Sequence, residues 1–215
     1  MLSGLTLSAN RLPFNNKCNR FIPPPLLNKS LMISLVKKIA LALVVFLMLM
    51  VAALYQIGVF AVFFPSHQHE IEPPALPVMP SAQTILLFTK TNSFRHEEGI
   101  EAGSKLLISL AEKNAWQLFQ TENSAVFNHR DLKKFKVVIF LNTTGDVLSA
   151  GQQLAFQNWL LQGGSWLGVH AAGDGSHKDW PWYGDNLIGA VFTGHIMRPQ
   201  FQQAIVINEN VNHPV

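Results

Sequence analysis

The sequence predicts an α/β domain with a parallel sheet, preceded by one membrane-spanning helix, and three observations carry that expectation. Beyond residue 83, short apolar runs alternate with segments whose apolar residues recur at helical spacing, the pattern of strands joined by crossover helices. Before residue 65, an uncharged apolar run extends from Ile39 to Phe64, longer than the ~20 residues a helix needs to cross a bilayer. Between the two, residues 65–82 are too Pro-rich for regular structure and read as a stiff linker.

The bulk numbers agree. A chain of 215 residues holds one domain of ordinary size plus an extension. Apolar residues make up 48% and charged residues only 13%, and the apolar excess lies before residue 65. The net charge of +3 also originates there, because Arg11, Lys17, Arg20, Lys29, Lys37 and Lys38 meet no acidic residue in that stretch. The folded part therefore carries no basic patch, which argues against nucleic acid as a partner. The single cysteine, Cys18, lies in the N-terminal segment, so the globular part can build no disulfide, cysteine-zinc cage or catalytic thiol.

Residues 1–31 have no periodicity, and Pro23, Pro24 and Pro25 forbid a helix there; the segment reads as disordered. Met32 resembles a second start, so the true beginning is Met1 or Met32. Residues 32–64 read as a signal anchor, with Lys37 and Lys38 ahead of the apolar run predicting N-in, C-out. That orientation makes the membrane a partner and puts the C-terminal domain in the periplasm or outside. Val51-Ala52-Ala53 offers an alternative reading as a cleaved signal, against which stands the continuation of the apolar run to Phe64. His67 and His69 in the linker read as solvated polar residues rather than metal ligands.

Residues 83–215 form the domain. Thr84 to Thr89 is a short, nearly continuous apolar run, the mark of a strand buried on both faces. Ile100, Gly103, Leu106, Leu107, Leu110 and Ala111 put one apolar face on a helix from Glu98 to Lys113. Trp116 to Thr121 is a second strand, Leu132 marks a helical turn, and Val137 to Leu141 is a third strand. Ser149 caps a helix carrying Ala155, Phe156, Trp159 and Leu160 on one face. Gly163 and Gly164 stop it. Trp166 to Val169 is a fourth strand, and Gln203 to Asn208 is expected to be a fifth.

Parallel strands place their ligands beyond the carboxyl ends. Three loops follow those ends, and they hold His96, Asp146, His170, Asp174 and His177. Histidine suits proton transfer in both directions near neutrality, since its unperturbed pKa is ~6.5. His170 and His96 are the candidate acid and base, with Asp146 or Asp174 orienting an imidazole. Trp180, Trp182 and Tyr183 offer flat faces to a sugar ring or pack as a lid on the core; Arg95 and Thr144 complete the candidate binding set. Arg95 and Arg198 can bind anionic groups, though solvent-facing roles suit both. A divalent metal such as zinc can be drawn from His96, His170 and His195, but the sequence requires no cofactor.

The stretches FTKTNSFRHEEGI, FLNTTGDVLS, GGSWLGVHAA and DWPWYG, followed by a late GH, resemble the ThuA-like domain, named for trehalose utilisation, from about Thr84 to Val215. That resemblance implies a flavodoxin-like, class I glutamine amidotransferase-like sheet, and a domain that continues past Val215. It implies carbohydrate metabolism acting on a sugar or keto-sugar derivative. In the superfamily a cysteine occupies the sharp strand-to-helix turn; here His170 holds that place, and a thioester route needs a thiolate. The resemblance therefore carries the fold but not glutaminase activity. The competing expectation is a non-catalytic extracytoplasmic module that binds carbohydrate or protein.

Overall fold

Thr84–Phe88, β1, is the strand on which the domain is built, and it is buried along its whole length. A computed structural model describes residues 28–79, 83–174, 177–194, 199 and 202–212. The helix α1, Lys29–Gln56, and the one-turn α2, Phe60–Phe63, come before the strand. The elements that follow are α3 (Glu97–Lys113), β2 (Gln117–Thr121), α4 (His129–Leu132), β3 (Val137–Leu141), α5 (Ala150–Leu161) and β4 (Ser165–Val169). Two 3₁₀ turns, Ser124–Val126 and His170–Gly173, and a π-helical turn, Tyr183–Ile188, complete the elements of the described residues. The chain divides into two units, Met1–Met50 and Val51–Val215.

All strand pairings are parallel, in the order β2-β1-β3-β4. Alternation along β1 explains its continuous apolar run. Leu86 and Phe88 join Phe127, Val138, Phe140, Phe156 and Trp159 on one face, where α5 packs. Ile85 and Leu87 join Ile139 and Leu141 on the other, with Leu107 of α3. Helices thus cover both faces, as a parallel sheet requires. The α5 boundary follows local chemistry: Gln152 Oε1 accepts from the Ser149 N–H at 2.9 Å, closing a capping box. Gly163 adopts φ +95° at the other end, and a Cβ on Gly164 would lie 2.4 Å from the Trp159 ring. Neither position tolerates a side chain.

The apolar N-terminal run is not one helix to Phe64. Helix α1 ends at Gln56, and Gly58, at φ +72°, turns the chain before α2. Ile39 to Gln56 nevertheless spans about 27 Å of uncharged helix at ~1.5 Å per residue. The helix has a mean hydropathy of 2.5 over its most apolar window and buries none of it, so one N-terminal helix is long and apolar enough to cross a membrane.

Two expectations differ from the structure. Residues 203–208 form no strand; Ile205 and Val206 stand 91% and 94% exposed. Strand propensity alone cannot hold an extended segment, and these residues have no hydrogen-bonded strand partner among the described residues. The Pro-rich segment, expected to be a solvated linker, is extended but lies as a strap across the domain. Glu70 pairs with buried Lys90 at 2.6 Å and accepts from the Ser124 amide and hydroxyl at 2.8 and 2.7 Å. Burial raises the Glu70 pKa, but the Lys90 and Ser124 hydrogen bonds outweigh it and bring it down to about 2. Gln152 donates to the Glu70 carbonyl at 2.9 Å, and Leu76 and Met79 pack on the core.

Candidate functional site

The parallel register builds the centre of the site. Leu141 of β3 is paired with Val169 of β4, so the next residues on the two strands, Asn142 and His170, emerge side by side at the carboxyl edge. Both turn sharply: Asn142 has φ +53° and His170 φ +52°. A positive φ costs a non-glycine residue of the order of 1–2 kcal/mol, and it lifts the His170 side chain out of the strand line into solvent. This is the geometry of a nucleophile elbow.

His170 Nδ1 lies 2.7 Å from Asn142 Oδ1. An amide oxygen only accepts, so Nδ1 carries the proton and neutral His170 presents Nε2 as its basic nitrogen. His96 heads α3 and meets His170 edge to face, with ring centroids 4.6 Å apart; Phe94 stands against its other side at 4.9 Å. Burial lowers the His96 pKa first, His170 lowers it further, and the Asp174 charge opposes both. The helix N-terminus acts in the same direction as burial by disfavouring an imidazolium there. His96 is therefore held neutral beside a histidine whose tautomer is fixed, an arrangement suited to passing a proton in either direction.

The other expected residues divide. Asp174 lies within electrostatic reach of His96, His177 and Tyr183. Asp146 does not bond to the His96/His170 pair; its carboxylate meets His67 Nδ1 at 3.2 Å and His69 Nε2 at 3.3 Å. Arg95 pairs with Glu97 at 2.6 Å and Glu122 at 2.9 Å. Thr144 is buried and donates to the Phe94 carbonyl at 2.7 Å, which fixes the loop that carries His96. Trp180 and Tyr183 are buried in the core, with the Tyr183 hydroxyl donating to the Ala172 carbonyl at 2.7 Å. Trp182 stacks on Trp180 at 6.0 Å. A cleft of about 240 Å³ lies along Asp174, His177, Trp180, Tyr183 and Phe192, and His96 and His170 do not line it. His195 and Arg198 lie outside the described residues, so a His96/His170/His195 ligand set has no described geometry.

Asn142 was not among the expected residues, because attention to titratable groups passes over an amide. Its signal was its place directly after a strand, together with the readiness of asparagine to adopt a left-handed backbone.

His177 is buried, with Nε2 3.4 Å from Thr143 Oγ1. Burial depresses its pKa, opposed by the Asp174 charge and by hydrogen bonds its imidazole makes to the backbone of Gly145 and Thr143. The unfolded chain therefore takes up this proton more readily than the folded one. Stability should be full above the unfolded histidine pKa of ~6.5 and fall as pH drops from there toward the depressed folded value; His96 contributes with the same sign. Urea midpoints measured from pH 7.5 to 5 should show this fall, and the His177→Gln variant should flatten the slope.

A parallel sheet flanked by helices, with a strained turn at a strand's carboxyl end, makes this a doubly wound α/β domain. Within that class the chain belongs to the ThuA family, described as trehalose utilisation, whose sequence pattern matches residues 84–215. Among solved structures, the chain is similar to a ThuA-like protein from Bacteroides uniformis ATCC 8492, at 25% identity and a TM-score of 0.45. That match covers 56% of this chain and 49% of the Bacteroides chain, so the present chain spans about half of that protein's length. No curated protein matches the chain.

Proposed function

We propose that the domain acts on a small sugar derivative, a keto-sugar by preference, using His96 and His170 as a proton-transfer pair. The observation that carries this reading is the elbow itself: His170 is held at φ +52° with Nδ1 tied to Asn142 and its ring against His96. Neutral His170 takes a proton at Nε2 from a sugar hydroxyl or from the carbon beside a ketone. The His96/His170 pair then returns a proton to oxygen, while the negative charge of Asp174 favours an imidazolium at His96. The only cysteine, Cys18, precedes the matched region, so the thiolate chemistry of amidotransferases has no residue at the elbow.

The test is turnover by the full chain of a panel of keto-sugars, their unoxidised parents and trehalose, followed by NMR, in parallel with His96→Asn and His170→Ala. Conversion of an oxidised sugar that is lost in both variants supports the reading. Saturable carbohydrate binding without turnover would replace it with a binding module.

Anchoring belongs to the same proposal. Helix α1 crosses the membrane with Lys37 and Lys38 on the inner side, leaving the domain extracytoplasmic. The chain should stay in the membrane pellet after alkaline carbonate washing and be released by detergent. Protease added to intact spheroplasts should digest the domain; protection would reverse the orientation.

A further inference from the structure

We propose that His67, His69, Asp146 and Asp179 hold a divalent cation with the chemistry of zinc, which clips the strap onto the loops at the carboxyl edge of the sheet. The proposal is independent of the sugar reading, since it uses neither member of the His96/His170 pair. His67 and His69 precede the residues matched to the family, whereas Asp146 and Asp179 lie within them.

Three separate segments converge on the cluster. His67 and His69 come from the strap, Asp146 from the loop after β3, and Asp179 from the loop beyond the elbow. One ligand atom from each of His67, Asp146 and Asp179 lies within 4.8 Å of the others. His67 Nδ1 stands 3.2 Å from Asp146 Oδ2, and His69 Nε2 stands 3.3 Å from Asp146 Oδ1. Nitrogen and oxygen ligands at ~2.0–2.2 Å from a tetrahedral ion are about 3.3–3.5 Å apart. The His67–Asp146 contact already has that spacing, and His69, which meets the other Asp146 oxygen, joins as fourth ligand by a small shift. Extended chain explains how the strap delivers both histidines: residues i and i+2 project to one side, and the neighbouring prolines keep the segment extended.

The donors select the ion. Two imidazoles and two carboxylates suit zinc and similar borderline cations, whereas magnesium and calcium favour all-oxygen shells. A bound cation would also offset the repulsion between Asp146 and Asp179. Its structural consequence is a cross-link between residues 79 positions apart, His67 and Asp146, which fixes the segment following the apolar helices onto the loop next to Asn142–Thr144.

The full chain in detergent, without a His-tag and stripped with chelator, is titrated with zinc chloride; bound zinc per chain and Tm are read. About one zinc per chain at micromolar free zinc, with a Tm rise of roughly 5 °C or more, is the expected result. His67→Ala, whose site is exposed and safe for folding, and Asp179→Asn should each weaken binding at least tenfold. His170→Ala should leave it unchanged. Absence of zinc binding, an equal Tm response to magnesium, or binding that survives His67→Ala combined with Asp179→Asn would overturn the proposal. Loss of binding in His170→Ala with the strap variant unaffected would also overturn it, moving the ion to the His96/His170 pair.

Discussion

Replacing His170 by alanine should lower turnover of the sugar substrate by ~10²–10⁴-fold, the range that a positioned acid/base group contributes. The elbow allows a sharper form of this test. Alanine leaves the residue in the left-handed region, at φ +52°, and forfeits the hydrogen bond to Asn142. It should therefore cost about 1–2 kcal/mol of stability as well as activity. Glycine at the same place loses the same hydrogen bond and adds freedom to the unfolded chain, but it removes the strain of a Cβ in that region. These terms offset to within about 1 kcal/mol, so His170→Gly should be as inactive as His170→Ala and at least as stable. Urea midpoints and initial rates on the two variants check both orders. An active glycine variant would remove His170 from the chemistry, whereas a glycine variant less stable than alanine would mean that the strain relieved is smaller than the freedom glycine adds to the unfolded chain.

The same elbow shows what was readable in the residues and what was not. Strands β1 and β3 and helix α5 were legible because they bury apolar residues in the core, a property written locally in Ile85 to Phe88, Val138 to Leu141, or Phe156 and Trp159. Strands β2 and β4, only half-buried, were legible from their short apolar runs between turn signals. The convergence of His96 and His170 followed from topology, since parallel strands gather their carboxyl-end loops at one edge. The strap was not legible. Its partners Lys90, Ser124 and Asp146 lie 20 to 79 residues away, and no periodic pattern announces a polar contact of that range. Residues 203–208 failed for the opposite reason: Ile205, Val206 and Ile207 have the local propensity of a strand, but a strand exists only when an edge receives it. Arg95 illustrates a third case. A guanidinium in a site loop suggests an anion site, yet Glu97 and Glu122 supply the carboxylates from within the chain.

Removing the Phe140 side chain should have the largest effect on stability. Phe140 is fully buried near the carboxyl end of β3, opposite Phe88 and Gly168. Its ring meets Phe88 at 5.5 Å, Phe127 at 5.7 Å, Phe156 at 5.3 Å, Trp166 at 6.1 Å and Tyr183 at 6.1 Å. Those partners come from β1, the loop before α4, α5, β4 and the π-helical turn, so no single element can move in to close the space without leaving another. Phe140→Ala should therefore sit toward the costly end of the large-to-small range, about 3–5 kcal/mol, a large share of the ~5–15 kcal/mol that holds a domain together. Leu154→Ala, on the exposed side of α5, should cost under about 0.5 kcal/mol. Urea unfolding followed by tryptophan fluorescence compares the two directly. A loss at Phe140 close to that at Leu154 would mean that the aromatic cluster repacks freely. Phe140 is also two residues before Asn142, so a folded variant whose cavity relaxes through β3 should lose turnover before it loses the sheet; the core that stabilises the domain is the same one that sets the position of the elbow.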